Sequence, residues 1–193
     1  DGQPHEATIV CEQGLKHCAK NPRLQYSLAQ LLRENCDFMR AASAYEKAKS
    51  FGFQSPALYE NYSEALSEAK KPMRALMAIR EGTMLYPDNA HLHRLAARIH
   101  AESGADGDSI DFLWRSARLQ ASNASLWFTL IDLLRRQDRH DEARKAIAEV
   151  PDHIVNSHPG IQTMQARDLA HAGDRAGCIK RFEQLISMHP HDS

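Results

Sequence analysis

The sequence lacks an excess of either charge. Its 193 residues include 24 Lys and Arg against 25 Asp and Glu, so the formal net charge is -1 at pH 7. A chain this close to neutrality has no general electrostatic attraction to nucleic acid or to an anionic membrane surface. The charge balance therefore predicts a partner that is neither nucleic acid nor a lipid surface.

Cysteines and long apolar runs are also scarce. The four cysteines have no paired spacing that indicates a disulfide framework. Cys11 and Cys18 lie about 10 Å apart along one predicted helix, too far to bridge. This pattern favours a reducing compartment, and we expect a cytoplasmic location. The longest apolar stretch, 126–134, is too short to cross a bilayer and is interrupted by Thr129 and Asp132, so we expect no membrane insertion.

Motifs for catalysis are absent as well. The sequence contains no nucleophile elbow and no phosphate-binding loop. Among the eleven histidines, His91 and His93 face different sides of a predicted helix. His93 and His100 share a face but are too far apart to chelate one ion. We therefore expect no enzymatic activity, no metal and no cofactor.

What the chain has instead is a repeated pattern. Aligned segments begin at Pro22, Pro56, Ala90, Ala124 and Pro159, at spacings of 34, 34, 34 and 35 residues. The twentieth place of each segment is small: Ala41, Ala75, Ser109, Ala143 and Cys178. Four places later stand the large residues Tyr45, Ile79, Leu113, Ile147 and Phe182. A period in this range is typical of a stacked repeat.

Each segment reads as two helices. Two runs with helical spacing are separated by a polar turn, and closely packed helices need a small residue where they cross and a large one beside it. N-cap oxygens precede the first helix at Asn21, Ser55, Asn89 and Asn123, and three segments place Pro in the first turn. The pattern predicts an all-α fold of five antiparallel helix pairs.

This pattern resembles the tetratricopeptide repeat, most clearly at Tyr59, Leu66, Ala75 and Pro87 of the second repeat. The resemblance implies a right-handed α-solenoid of about 11 helices. It implies one domain over residues 1–193, with 7–20 as the second helix of a partial repeat and repeats at 22–55, 56–89, 90–123, 124–158 and 159–192. His100, Pro151 and Gln165 depart from the family pattern. Because the pattern starts in mid-repeat, we expect a longer parent protein or ends that a partner or a second copy covers.

In this family the first helices line a concave groove that binds a peptide or a partner helix. By resemblance, the groove residues are Arg23, Tyr26, Glu60, Asn61, Glu64, Arg94, Arg98, Phe128, Asp132, Arg135, Arg136 and Arg167. The second repeat contributes mainly acidic residues and the later repeats mainly basic ones. A partner segment with opposite charges at its two ends, or an acidic one in the latter half, would fit this field. Equally, the charges could form a solvated face, and Tyr26 and Phe128 could be packing residues.

The resemblance leaves alternatives open. The chain could be the recognition arm of a multidomain enzyme, since bacterial members of the family join such repeats to transferase or oxygenase domains. The family's carboxylate clamp is disfavoured, because only Asn61 falls on a matching place. RNA binding of the pentatricopeptide type is disfavoured by the charge balance.

Two apolar surfaces could bind further partners. Phe112 and Trp114 flank Leu113 and could form an outer contact patch or be partly buried under a neighbouring turn. Leu185, Ile186 and Met188 form an uncapped end through which copies of the chain could self-associate.

Overall fold

A computed structural model describes residues 3–104, 106–171 and 173–188, and all regular secondary structure in these ranges is α-helical. The helices are α1 (Gln3–His17), α2 (Pro22–Glu34), α3 (Phe38–Ser50), α4 (Pro56–Glu68), α5 (Pro72–Leu85), α6 (Ala90–Glu102), α7 (Asp106–Leu119), α8 (Ala124–Arg136), α9 (His140–Glu149), α10 (Asp152–Ser157), α11 (Pro159–His171) and α12 (Arg175–Met188). The prediction of an all-α fold of successive helix pairs is confirmed.

The helix starts show which caps form. The side chains of Asn21, Ser55 and Asn89 each accept a hydrogen bond from a backbone N–H three residues later, at 3.1, 3.1 and 2.9 Å. Asn123 makes no such bond with its side chain, so the expected cap is wrong there. At the start of α11 the Nδ1 atom of His158 caps the helix, because it accepts a hydrogen bond from the backbone N–H of Ile161 at 3.3 Å.

The described residues contain one helix more than the sequence predicts. Val150 adopts an extended conformation, with ψ 128, directly before Pro151, and α9 ends there after 10 residues. Proline disfavours a helical conformation in the residue that precedes it, so it stops α9 early. The chain then forms the short helix α10, whose Ile154 and Val155 are buried.

The chain divides into two compact units, residues 1–112 and 113–193. In the first unit each of α1 to α6 packs on its neighbours in sequence, and the first helices α2, α4 and α6 also contact one another in turn. In the second unit α8 packs on α9, and α11 packs on α10 and α12. Each unit thus repeats one motif, in which a first helix packs against the second helix of its own pair.

The small and large places of the repeat form the core. Ala41, Ala75, Ser109 and Ala143 are at most 1% exposed, and their large partners Tyr45, Ile79, Leu113 and Ile147 are at most 8% exposed. The exception is the last repeat, where Phe182 is 38% exposed. Burial of these pairs supplies the apolar contacts that hold the helices of each pair together.

Phe112 and Trp114 are partly buried rather than fully outward. The Phe112 ring lies 5.9 Å from that of His93 and 5.0 Å from that of His100, and it packs on the core of the first unit. In the second unit the Trp114 ring meets that of Trp127 edge to face at 6.3 Å, and the Arg118 guanidinium lies 4.7 Å above it. The structure therefore favours the packing interpretation of both residues.

Gly82 provides a test of the close crossing of α4 and α5. A Cβ atom at this position would lie 2.6 Å from the Cβ of Tyr59, a side chain that is 1% exposed. We expect Gly82→Ala to lower the free energy of unfolding by about 1 to 2 kcal/mol, because overpacking outweighs the gain in helix propensity. The urea midpoint measures the change. Gly107→Ala, with open space around its Cβ, is the control, and an unchanged midpoint for Gly82→Ala would contradict the prediction.

His100 occupies a place that is leucine in the neighbouring repeats. The equivalent residues are Leu32, Leu66 and Leu134, all buried like His100 itself. Burial lowers the pKa of His100 below its ordinary 6.5, and the positive charge of Arg80 lowers it further. Asp108 opposes this shift from 3.5 Å, but its carboxylate is 68% exposed and its field is therefore screened by solvent. His100 is thus a residue of the core whose surroundings disfavour its protonation.

This burial makes stability depend on pH. Because the pKa of His100 is lower in the folded chain, the unfolded chain binds the proton first, and stability falls as pH decreases below about 6.5. We expect His100→Leu to reduce this fall between pH 7.5 and pH 5.5, measured by urea midpoints. His153→Leu, at an exposed site, should leave the slope unchanged. An equal slope in His100→Leu and wild type would disprove the assignment.

Candidate functional site

The first helices of three successive repeats share one surface in the first unit. We call the surface formed by α2, α4 and α6 the A-helix face. Two cavities open on it. The larger of the two, which we call the large cavity, has a volume of about 310 Å³ and is lined by Arg33, Phe38, Glu64, Ala65, Ser67, Glu68, Arg98 and Glu102. The other, the small cavity, has a volume of about 180 Å³ and is lined by Glu64, His91, Arg94, Leu95 and Arg98. Because both include Glu64 and Arg98, the two cavities adjoin.

Three of the twelve sequence-predicted groove residues line these cavities: Glu64, Arg94 and Arg98. The sequence pattern gave no signal for Phe38, which is the first residue of the second helix of its pair. Ala65 and Leu95 are buried residues whose places indicate core packing. Their contribution to a cavity wall depends on the gap between two first helices, which periodicity alone does not define.

Glu64 links the three repeats electrostatically. Its carboxylate lies 3.3 Å from Nη1 of Arg33 on α2 and 2.8 Å from Nη2 of Arg98 on α6. Nearby, Nδ1 of His91 lies 3.1 Å from the Glu60 carboxylate. The two arginine pairs are partly exposed, and such pairs contribute about 0.2 to 1 kcal/mol. The negative charge of Glu64 is therefore partly neutralised by Arg33 and Arg98 of the neighbouring repeats.

Other charges on the A-helix face have no such partner. Within the described parts of the chain, no ion pair joins Arg23, Glu68 or Arg94 to another residue, and all three are exposed. In the same part of the chain, the one recorded contact of the Glu102 carboxylate is a hydrogen bond that it accepts from the Ser67 hydroxyl at 3.1 Å. A ligand can therefore meet these charges without breaking an ion pair of the described residues.

Tyr26 is held in place by its neighbours. Its hydroxyl accepts hydrogen bonds from Nδ2 of Asn61 at 2.9 Å and from Nε2 of Gln30 at 3.5 Å. Its ring stacks on Phe53 with centroids 4.4 Å apart and meets Tyr45 edge to face at 5.6 Å. Tyr26 and Asn61 therefore join two repeats, and neither lines a cavity described above.

Most of the predicted groove residues of the second unit already form ion pairs within that unit. Arg135, 18% exposed, lies 2.5 Å from the Asp168 carboxylate and also donates to the backbone carbonyl of Met164 at 2.7 Å. Arg136 pairs with Asp132 at 2.8 Å but remains 75% exposed. Arg135 thus joins α8 to α11 and is not available as a surface charge.

Phe128 and Arg167 complete this set in the second unit. The Phe128 ring lies 5.4 Å from that of His158, and a Cβ added to Gly160 would come within 2.7 Å of it. This packing holds Phe128, a residue of α8, against the start of α11. Arg167 is exposed and has no ion pair within the described ranges. A wide cavity of about 750 Å³ is lined by residues 119–125 and His158, and includes none of these groove residues.

The described residues contain neither a metal site nor a membrane span. No group of three or more His, Cys, Asp and Glu side chains in these ranges could hold a metal ion. None of the described helices combines the length and the apolar character needed to span a bilayer. All four cysteines are free.

Comparison with known proteins gives structural matches only. No family model matches the sequence, and no curated protein matches it either. Among solved structures, the C-terminal part of a TPR repeat-containing protein from Cytophaga hutchinsonii matches with a TM-score of 0.72 at 14% identity, over 98% of this chain and 75% of that chain. MamA 41-end from Desulfovibrio magneticus RS-1 matches with a TM-score of 0.65 at 18% identity, over 77% and 84%.

A third match is YrrB, described as a TPR protein with an unusual peptide-binding site. Its TM-score is 0.66 at 15% identity, over 94% of this chain and 93% of that chain. At such low identities the agreement establishes the fold. The periodic small and large residues of the sequence and the helix pairs of both units agree with that fold. The chain has the fold of the tetratricopeptide-repeat proteins.

Proposed function

We propose that this chain is a protein-interaction scaffold that binds a segment of a partner protein on the A-helix face and has no catalysis of its own. The observation that carries the proposal is the pair of adjoining cavities, which three successive repeats line together. Their shared residues, Glu64 and Arg98, allow one ligand to contact both. Such a ligand would be longer than either cavity.

The composition of the cavities favours a peptide over a small molecule. Small-molecule sites are mostly apolar and enclose their ligand. The large cavity here has five charged side chains, and of its apolar members Phe38 is half-buried while Ala65 is fully buried. A peptide brings both polar groups for these charges and side chains for the small apolar wall. The peptide-binding site of YrrB, a protein of the same fold, supports this class of ligand.

The unpaired charges support the same proposal. Arg94 and Glu68 are exposed on the A-helix face, and a partner would break no ion pair of theirs that the described residues contain. The second unit offers fewer such groups, since Arg135 and Asp132 are already paired. We therefore place the principal contact surface in the first unit, with Arg136 and Arg167 as secondary contacts.

Filling the large cavity tests the proposal. Peptides of twelve residues displayed on phage are selected on the whole chain, and their affinities are measured by fluorescence anisotropy. We expect Ser67→Trp to weaken the selected peptides at least about tenfold, or 1.4 kcal/mol, because the indole occupies the cavity. Ser43→Trp, on the exposed side of α3, is the matched control.

Two outcomes would contradict this proposal. One is the failure of any peptide to be enriched on the whole chain. The other is equal affinity for wild type and Ser67→Trp. Circular dichroism and a urea midpoint must first show that both tryptophan variants are folded, so that loss of binding reports on the cavity.

A further surface suits self-association. On α12, Phe182 and Ile186 are 38% and 67% exposed. The equivalent residues of α5, Ile79 and Thr83, are 0% and 5% exposed, and α5 packs on α6, the first helix of the next repeat. The face of α12 is thus shaped to accept a first helix of this same repeat type, and we infer that a second copy supplies it. The side chain of Met188, also predicted here, lies outside the described residues.

Sedimentation velocity tests the self-association. We expect the sedimentation coefficient of the wild type to rise with concentration up to about 100 μM, and the double variant Phe182→Glu with Ile186→Glu to remain monomeric, because charge opposes burial of this face. Lys180→Glu, on the same helix, is the control. A wild type that stays monomeric throughout the range would exclude the second copy as the occupant.

A further inference from the structure

Three successive first helices end on an acidic residue. The last residues of α2, α4 and α6 are Glu34, Glu68 and Glu102. A carboxylate at this position meets the negative end of the helix dipole and is unfavourable for the helix. The first helices of the second unit end on Arg136 and His171, the favourable choice. A local rule that is broken three times in one unit marks a candidate functional surface.

These acidic residues make one end of the A-helix face negative. Glu68 and Glu102 both line the large cavity, where the C-terminal ends of α4 and α6 meet. Glu68 has no ion pair in the described residues, and Glu102 accepts only the 3.1 Å hydrogen bond from Ser67. Arg33 and Arg98 also line this cavity but are both paired with Glu64, so the carboxylates of Glu68 and Glu102 and the two helix C-termini attract a cation to this end. Phe38 in the same wall can contact the aliphatic part of a Lys or Arg side chain.

The small cavity has the opposite character. It is lined by three basic side chains, His91, Arg94 and Arg98, and by a single acidic one. That acidic residue, Glu64, already lies within 3.3 Å of two guanidinium groups. Within the described ranges, no carboxylate is therefore paired with Arg94. An exposed guanidinium with free donors favours a carboxylate, which it can bind through two parallel hydrogen bonds.

The helix α6 gives the distance between these two ends. Arg94 and Glu102 are eight residues apart, which corresponds to about 12 Å along the helix axis. In an extended peptide, residues four apart lie on the same side and are about 13 Å apart. The two spacings agree, so one extended segment can reach both charges at once.

We propose that the A-helix face recognises an extended partner segment carrying an acidic and a basic side chain four residues apart. The acidic side chain lies beside Arg94, and the basic one lies between Glu68 and Glu102. This proposal rests on the proposed function, since it names the chemistry of the segment bound there. A segment of uniform negative charge is disfavoured, because Glu68 and Glu102 repel one of its ends.

The phage selection described above provides the ligand for the test. We expect the enriched sequences to contain Asp or Glu and Lys or Arg separated by three residues. In the best peptide, replacing the acidic residue by Ala should weaken binding to the wild type about fivefold and leave binding to Arg94→Ala unchanged, because that variant has already lost the interaction. Replacing the basic residue by Ala should likewise weaken binding to the wild type and leave binding to Glu102→Ala nearly unchanged.

Exchanging the charges of the peptide's acidic residue and of Arg94 tests directly whether these two groups lie side by side. A peptide with Lys in place of its acidic residue should bind Arg94→Glu about fivefold more tightly than the original peptide does. Lys47→Glu, an exposed reversal on α3 and away from the cavities, should keep the wild-type preference for the original peptide. Among the residues that the structure describes, Arg94 forms no ion pair, so its reversal breaks none.

The outcomes separate the two proposals. Enriched peptides without the charge pair, or additive effects of the peptide and protein substitutions, would overturn the charge assignment. If Ser67→Trp still abolished binding of those peptides, the A-helix face would remain the binding surface. If no peptide were enriched, or if Ser67→Trp had no effect, both proposals would fall together.

Discussion

Close packing of two helices requires a small side chain at their crossing, and the rest of this structure depends on that constraint. Ala41, Ala75 and Ser109 meet it in the first unit, each at most 1% exposed, and a large buried residue follows four places later. Meeting the constraint once every 34 residues gives successive pairs the same geometry. The first helices α2, α4 and α6 then contact one another in turn, and their exposed sides form the A-helix face.

Sequence periodicity was sufficient for this part of the structure. The repeated small and large places predicted the helix pairs, and Asn21, Ser55 and Asn89 predicted caps that form. Asn123 carries the same signal without the bond, because a cap also depends on the side-chain conformation that the local turn allows. The short α10 was missed for a related reason. A proline indicates where a helix stops, but the residues after it can restart one.

The candidate site was only partly predictable. The family resemblance assigned Glu64, Arg94 and Arg135 to one kind of surface position, and the structure gives them different surroundings. Glu64 is paired with the repeat on either side, Arg135 is largely buried against Asp168, and Arg94 has no ion pair among the described residues. The difference arises from the residue that the next repeat places opposite each charge, roughly one period later in the chain. A helical period identifies a face, but pairing also requires the crossing angle and the side-chain conformations of both helices.

Contacts limited to neighbouring repeats also determine how such a chain resists force. An array of this kind can lose its repeats one after another, since each is supported only by those beside it. Glu64 contacts Arg33 on α2 and Arg98 on α6, so a single carboxylate ties three repeats of the first unit together. A partner segment lying across the same helices adds a second tie in parallel. Under tension, a segment bound as proposed would add its own contacts across the three repeats, and separating them would then need more force than the partly exposed Glu64 ion pairs alone provide.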